Sequence, residues 1–496
     1  MADRLARFAV LPAAVRLLIA ALAGAVGALG QAPFGIWPAT LAALAVAMLI
    51  HASAYNARQA ALMAWGFGIG YFGLALHWIV EPFLVDITRH GWMAPFALIL
   101  MAGGAALFWA LAAYLAARMR PGSALLFGLA LVWAEITRSL IFTGFPWALL
   151  GHVWIGTDMA QWAAFGGPHL LSLITAISAW SLVLLYRRRW LAGGGLVLAL
   201  FVAGFALRAP MTEAAEDAPV IRLVQPNAPQ HQKWDPAFRQ LFMDRMVVMT
   251  AAEEVPDLVV WPETAIPSLL NYIEADMQPL ADAARGAPLV FGIQRRDDVG
   301  RFYNSLVVMD GVGGVHALYD KQHLVPFGEY IPGGAVAERL GLRGLAAQMG
   351  GFTPGHAPGP VDLPGIGQAV PLICYEGIFA EEITRGDDPQ LLLLITNDAW
   401  FGRAAGPYQH LAQARLRAIE QGLPMVRVAN TGVSAMIDPW GQIVADLPLG
   451  IDGFIDVPLP APRMETYYVR WGDGPVFGLM TLLTLLCFAV ARRNSD

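Results

Sequence analysis

The sequence predicts a multi-pass α-helical membrane bundle of about eight spans joined to an extracytoplasmic α/β domain of layered, covered sheets. Three observations predict it. The 496 residues are 57% hydrophobic and 14% charged, against the ~25% charged residues of ordinary soluble domains. The hydrophobicity is unevenly placed: apolar runs fill the chain before residue 210, 216–460 reads as a soluble domain, and one apolar run returns near the C-terminus. Basic residues gather in every second loop between those runs.

A spanning helix needs ~20 largely apolar residues. The runs at 11–30, 37–53, 59–80, 92–117, 123–143, 163–186, 190–208 and 474–491 are read as spans. The second is the shortest, and 92–117 is long enough to tilt. The first has the position of a signal peptide, but its apolar core exceeds the roughly 7–15 residues of a signal core and further spans follow at once. It reads as an uncleaved span.

Basic residues mark the cytoplasmic side. With Arg4 and Arg7 inside, the inside loops hold Arg58, then Arg118 and Arg120, then Arg187, Arg188 and Arg189, and the inside tail holds Arg492 and Arg493. The outside loops 31–36 and 144–162 hold no Lys or Arg, and 81–91 holds only Arg89. Both termini are therefore expected in the cytoplasm and the soluble domain outside it. The expected organisation is a seven-helix membrane domain over 1–208, an acidic, proline-bounded linker over 209–219, a catalytic domain over 220–460 and a last span over 474–491.

The soluble domain carries short runs rich in Val, Ile and Leu: Val220 to Val224, Leu258 to Trp261, Leu289 to Ile293, Ser305 to Met309, Val370 to Ile373, Leu391 to Thr396, Met425 to Ala429 and Ser434 to Ile437. Most are continuous rather than alternating, which marks strands buried on both faces. Helical patterns such as Phe238 to Glu253 and Tyr408 to Gln421 lie between them. Strands interleaved with helices predict a layered α/β domain.

Composition also excludes function classes. The net charge is −6, and the one basic cluster, Arg187 to Arg189, ends an apolar run. A nucleic-acid binder would show a basic face on a soluble domain. Two cysteines, Cys374 and Cys487, cannot build a disulfide framework. His323, His356 and His410 are scattered without metal-ligand spacing, so no metal and no cofactor are expected.

The chemistry centres on Cys374. It follows the apolar run Ala369 to Ile373 and opens C-Y-E-G. Upstream lie W-P-E at Trp261 to Glu263 and Y-D-K at Tyr319 to Lys321. A thiol near its reference pKa of ~8.5 is mostly protonated at neutral pH, and the thiolate is the nucleophile. Glu263, held at a strand end, is a candidate base. Lys321 is a compact charge suited to the thiolate and to the oxyanion of a tetrahedral intermediate. The three together point to acyl transfer through a thioester. Singly, each has an ordinary reading, as a surface carboxylate, a surface lysine or an inert buried thiol. Their joint occurrence in one strand-rich domain, with a free thiol in an oxidising compartment, favours catalysis.

These segments resemble the nitrilase, or carbon–nitrogen hydrolase, superfamily, whose Glu–Lys–Cys triad sits in an α-β-β-α sandwich. K-Q-H-L-V-P-F-G-E-Y-I-P at Lys321 to Pro332 is similar to the membrane-bound apolipoprotein N-acyltransferases. So are V-Q-P-N-A-P-Q and K-W-D within Val224 to Asp235, N-D-A-W-F-G at Asn397 to Gly402, Q-H-L-A-Q-A-R-L-R-A-I-E at Gln409 to Glu420, P-F-G-I-W-P at Pro33 to Pro38 and G-F-P-W at Gly144 to Trp147. The resemblance implies Cys374 as nucleophile, Glu263 as general base and Lys321 as stabiliser of the tetrahedral intermediate. Glu329, Tyr375 and Glu376 match supporting positions of the family, and Trp234 and Asn304 match further functional ones. The family usually has Q-G-N where this chain has Q-P-N, with Pro226 in place of glycine.

The resemblance further implies a phospholipid donor, typically phosphatidylethanolamine losing its sn-1 chain. The implied acceptor is the α-amine of the N-terminal diacylglyceryl cysteine of a lipoprotein, within membrane lipid and without nucleic acid. The expected location is the bacterial inner membrane, with the catalytic domain periplasmic. The rival readings are a membrane-tethered amidase acting on an external amide and a transporter or scaffold with an inactive outer domain. Two membrane features remain. The segment 335–350 is apolar with three charges and is expected to dip into the membrane as a lid or to pack on its own domain. Glu135 and Arg138 share a helical face in the fifth span and are expected to pair with each other and anchor the bundle rather than touch substrate.

Overall fold

The computed structural model describes residues 11–210, 214–334, 351–356 and 359–493, with the side chains of 490–493 excepted. Arg4, Arg7 and the candidate lid 335–350 lie outside the described residues. The chain divides into two compact units. The first holds Met1–Ala209, Ala404–Leu416 and Glu465–Asp496; the second holds Pro210–Arg403 and Arg417–Met464. The short segment 404–416, inside the range read as catalytic domain, groups with the helical unit.

Each apolar run is helical. The helices are Ala13–Ala28, Trp37–Ala52, Ala57–Ala75, Ala94–Met119, Ala124–Leu140, Ala163–Tyr186, Trp190–Ala206 and Gly474–Arg493. Among the described residues two segments, Ile87–Met119 and Asp158–Tyr186, are long and apolar enough to cross a membrane, and Ala57–Ala75 with His77–Leu84, bent by 64°, is a broken span or a re-entrant loop. The helix Ala163–Tyr186 breaks at Gly166–Gly167–Pro168. Proline removes a helical hydrogen bond, and Gly167, at φ +62°, is where the ring of Tyr468 packs: a Cβ there would lie 2.4 Å from that ring.

Polar side chains tie this unit together. Gln409 accepts from the indole N–H groups of Trp78 and Trp147 at 3.1 and 2.7 Å and donates to the carbonyls of Ala32 and Ala75 at 3.1 and 3.0 Å. Glu135 and Arg138 behave differently from expectation. Among the described contacts neither hydrogen bond nor ion pair joins them. Arg138 donates to the carbonyls of Phe145 and Trp147 at 2.5 and 2.9 Å. Glu135 accepts the N–H of Leu150 at 2.8 Å. The loop that follows the helix offers backbone groups with no helical partner, and these engage one nitrogen of Arg138 and one oxygen of Glu135. They anchor, but through the 145–150 backbone rather than through each other.

Among the described residues the second unit has thirteen strands. Six come first: β1 (Val220–Gln225), β2 (Leu258–Val260), β3 (Ile266–Leu269), β4 (Leu289–Arg296), β5 (Phe302–Met309) and β6 (Val315–Asp320). Then come β7 (Val361–Leu363), β8 (Gly367–Ile373), β9 (Pro389–Thr396), β10 (Met425–Ala429), β11 (Ser434–Ile437), β12 (Ile443–Leu447) and β13 (Gly453–Pro458). One sheet runs β13-β1-β2-β4-β5-β6, with β3 paired to β4, and the other runs β12-β11-β10-β9-β8-β7. Of the strands that end at the site, β2 pairs in parallel with β1 and β8 with β9, the latter with Ile373 opposite Ile395, while β6 pairs antiparallel with β5.

The two sheets share one core. Ile221, Leu223, Val260 and Leu306 of the first pack with Ile373, Leu393, Ile395, Val426 and Met436 of the second. The outer face of the first sheet is covered by Pro236–Ala251 and Glu274–Ala284 through Met246, Met277, Leu280 and Phe291. Leucine and valine on both sides of a central strand leave no solvent face, which is why those strands read as continuous apolar runs.

Candidate active site

Three strand ends carry the site. Just past β2, Trp261 continues the ladder by donating its N–H to the Val290 carbonyl at 2.8 Å. Pro262 has no N–H to donate, but its carbonyl accepts the Gly292 N–H at 3.1 Å, and Glu263 leads into Thr264, whose φ of +45° is left-handed. This turn lies directly on β4. A Cβ at Gly292 would sit 2.4 Å from the Thr264 nitrogen and 2.6 Å from the Glu263 Cα, so only glycine admits the turn there.

Lys321 follows β6 and is buried. Its backbone N–H donates to the Asn304 carbonyl at 2.9 Å. Its ammonium lies 3.0 Å from Glu329 Oε1 and 3.6 Å from Glu263 Oε1. The Asn304 amide donates to the same two carboxylates, at 2.7 Å to Glu263 and 3.1 Å to Glu329. Glu329 Oε2 accepts the Val325 N–H at 2.8 Å. One lysine and one asparagine thus hold a buried carboxylate, Glu263, beside a half-buried one, Glu329.

Cys374 is the first residue of a turn after β8, with φ +52°. A non-glycine residue there carries strain of about 1–2 kcal/mol, and the conformation lifts the sulfur off the end of the strand. Glu376 secures the turn. Its carboxylate accepts from the backbone N–H groups of Ile373 at 2.7 Å and Gln322 at 2.6 Å, and from the Tyr319 hydroxyl at 2.8 Å. It therefore ties the end of β8 to the end of β6. Tyr375 packs edge-on to Phe379 and His323. Behind the thiol, the Thr396 hydroxyl donates to Asp398 at 2.9 Å, and Asp398 pairs with Arg427 at 2.6 Å, both fully buried.

The electrostatics follow from burial and charge. Burial pushes the Cys374 thiol up, and the Glu263 charge adds to this against the opposing charge of Lys321. The resting sulfur is therefore protonated and must give up its proton as it reacts. Burial alone would pull Lys321 down, but Glu329 and Glu263 together outweigh it and hold the ammonium charged well above the ordinary lysine range. Burial also raises Glu376.

The structure brings buried Glu263, Lys321, Cys374 and Asn304 and half-buried Glu329 into one cluster, with Glu376 and Tyr375 supporting the thiol's turn. Trp234 makes no described hydrogen bond to that cluster; its ring lies 6.0 Å from the ammonium of its neighbour Lys233. Lys233 itself was missed by the sequence reading. Its ammonium is buried and donates to the Glu263 carbonyl at 3.0 Å and to the Thr264 hydroxyl at 2.9 Å. The signal was compositional: of 32 Lys and Arg residues, Lys233 and Lys321 are the two lysines. Asp398 was missed too, although its N-D-A-W-F-G segment was noted; nothing in that string distinguishes a buried ion pair from a surface turn.

Comparison with known proteins agrees across the whole chain. Residues 211–468 match the carbon-nitrogen hydrolase model, and residues 23–181 match the N-terminal domain model of apolipoprotein N-acyltransferase. The chain is 38% identical to the apolipoprotein N-acyltransferase of Rhodopseudomonas palustris, over 95% of this chain and 94% of that one. It is 35% identical to that of Brucella melitensis, over 96% and 95%, and 36% identical to that of Caulobacter vibrioides, over 94% and 92%. Among solved structures, an amidase of Nesterenkonia sp. AN1 aligns at 21% identity and a TM-score of 0.37, over 50% of this chain and 94% of that one.

Proposed function

The chain belongs to the apolipoprotein N-acyltransferase family, and from that premise we propose that Glu263, Lys321 and Cys374 carry a two-step acyl transfer between lipids. The enzyme is an acyltransferase of lipoprotein maturation. In the first step Glu263 takes the Cys374 proton as the sulfur attacks the sn-1 ester carbonyl of a phospholipid such as phosphatidylethanolamine. The oxyanion develops beside the Lys321 ammonium. The ester C–O bond breaks, Glu263 returns the proton to the leaving oxygen, and a lysophospholipid departs. In the second step the α-amine of the diacylglyceryl cysteine attacks the thioester and loses a proton to Glu263. The sulfur leaves and is reprotonated.

One observation supports this reading above the rest: a protonated thiol on a strained turn, within the field of a carboxylate and a permanently charged lysine. Lys321 cannot serve as the base, because its own proton is held by two carboxylates. Glu329 and Asn304 hold Lys321 and Glu263 in register. Eight spans, cytoplasmic termini and a periplasmic site are part of the proposal, since both substrates are lipids and the site must meet the outer leaflet.

Labelled phospholipid tests it. The parent is expected to form a thioester that resists water and is discharged by a diacylated peptide amine. Cys374→Ala is expected to form none, and Glu263→Gln to form it at least ~10²-fold more slowly. Immediate release of labelled fatty acid to water would assign the chain to amide-type hydrolysis instead. Absence of any adduct in the parent would remove the catalytic reading.

A further inference from the structure

We infer that Lys233 is a second functional lysine of this site, a positioning residue whose buried ammonium fixes the Glu263–Thr264 turn and whose charge acts on Glu263 and Cys374. The inference rests on the reading of Glu263 as the base for Cys374.

Lys233 ends the short helix Gln230–Lys233 and reaches under the base. It does not touch the Glu263 carboxylate. It donates instead to the Glu263 carbonyl and the Thr264 hydroxyl, the carbonyl before the left-handed residue of the turn and that residue's own side chain. A left-handed threonine is strained, and this pair of charge-assisted hydrogen bonds opposes its relaxation. The carboxylate of Glu263 is held from one side by Asn304 and Lys321 and its backbone from the other by Lys233.

The charge is the unusual part. Among the described residues Lys233 has no ion-pair partner, and its hydrogen bonds are to neutral groups. Burying an unpaired cation is costly, and a neutral donor would serve the turn alone. Burial draws the ammonium down to about 8, against the opposing pull of the Glu263 charge. At neutral pH it is still charged. A cation beside a base and a nucleophile favours the anionic forms through which the proton transfer passes.

Residue choice points the same way. This chain uses arginine almost everywhere it needs a cation, and its two lysines both lie against Glu263. Arginine's planar fork is larger and always charged. A compact ammonium on an unbranched stem fits between the turn and the cavity wall formed by Arg239, Phe242 and Met246. Trp234 then gains a physical role: the Lys233 ammonium lies over its ring at 6.0 Å, a cation–π contact.

The charged groups facing this cluster are known. Glu263 is faced by Lys321 and Lys233, with Glu329 across Asn304. Cys374 also feels Asp398, Lys321 feels Glu376, and Arg239 lines the cavity beside Lys233. Removing Lys233 therefore removes positive charge from a cluster left with Lys321 as its remaining nearby ammonium.

The test is the pH dependence of thioester formation by the detergent-solubilised full chain with labelled phosphatidylethanolamine. Lys233→Met is expected to slow it by about tenfold at neutral pH and to move the acid-side midpoint up by about one pH unit. Thr264→Val, which removes one partner but keeps the charge, is expected to leave that midpoint in place. An unchanged rate, or a slower rate with an unmoved midpoint, overturns the inference. Should Lys233→Met not fold, the parent is labelled with [¹³Cε]lysine, which gives two side-chain signals. One should titrate near pH 8, and Glu263→Gln should shift that titration downward; a titration that Glu263→Gln does not move also overturns it. Failure of the parent to form a thioester counts against the catalytic reading alone, and the lysine titration still decides this one.

Discussion

Each unit buries a glutamate and a basic residue, and they use them in opposite ways. In the helical unit Glu135 and Arg138 each end on backbone groups of the loop 145–150. In the sandwich Glu263 and Glu329 both end on Lys321 and Asn304, with the second Glu329 oxygen on the Val325 N–H. Charges that end on backbone hold a loop in place. Charges that end on one another, beside a protonated thiol, retain protons that can move. Burial alone therefore does not mark a catalytic group; the identity of its partner does.

The sharpest break in this comparison comes at Lys321. Lys321→Met leaves buried Glu263 and half-buried Glu329 adjacent and without the cation that pairs with both. Removing one member of a buried pair costs about 3–5 kcal/mol, which denaturant unfolding of the catalytic unit should register. Thioester formation should fall by at least ~10²-fold as well, because an electrostatic donor to the oxyanion is lost. Full activity in Lys321→Met would show that the sandwich cluster, like the helical one, is structural.

Arg138→Met tests the other side with a smaller expected effect. It removes two hydrogen bonds to carbonyls of Phe145 and Trp147. Bonds to a charged donor contribute roughly 1.5–3 kcal/mol each, and buried acceptors left unpaired add to the loss. The loss should appear as a lower unfolding midpoint and poorer yield in the membrane. The thioester rate per folded molecule should stay within about twofold. A collapsed rate with unchanged stability would move Arg138 into substrate binding and erase the distinction.

The sequence was informative where burial was complete. Every continuous apolar run in the soluble domain became a strand, with Met425–Ala429 and Ser434–Ile437 matching to the residue. The strands it did not reveal are the half-exposed ones. β6, β12 and β13 keep several positions open to solvent, and β3 and β7 are short. A search for continuous hydrophobicity finds central strands and passes over edges. The same holds for the site. Glu263, Lys321 and Cys374 were legible because strand ends and rare residue types coincide there. Lys233 was not, since its importance lies in a contact with the backbone of residues 30 or more positions away. Glu135 and Arg138 were legible as a buried couple, but their partners were not. Helical spacing shows which residues share a face, and the loop that folds back onto that face is set by tertiary structure.

The smallest effect is the most discriminating. Glu135→Gln and Glu263→Gln are the same chemical change at two buried carboxylates. At Glu135 the side-chain carbonyl of glutamine can still accept the Leu150 N–H, and the other carboxylate oxygen has no described hydrogen-bond partner. The stability change should be at most about 1 kcal/mol, and the thioester rate should be indistinguishable from the parent. At Glu263 the amide likewise keeps an acceptor for Asn304, so the fold should survive, yet it can no longer take a proton. If the two substitutions lowered the rate equally, the site chemistry would not depend on a carboxylate base at Glu263. If Glu135→Gln proved more destabilising than Glu263→Gln while leaving activity intact, the division between an anchoring and a reacting carboxylate would be drawn by measurement.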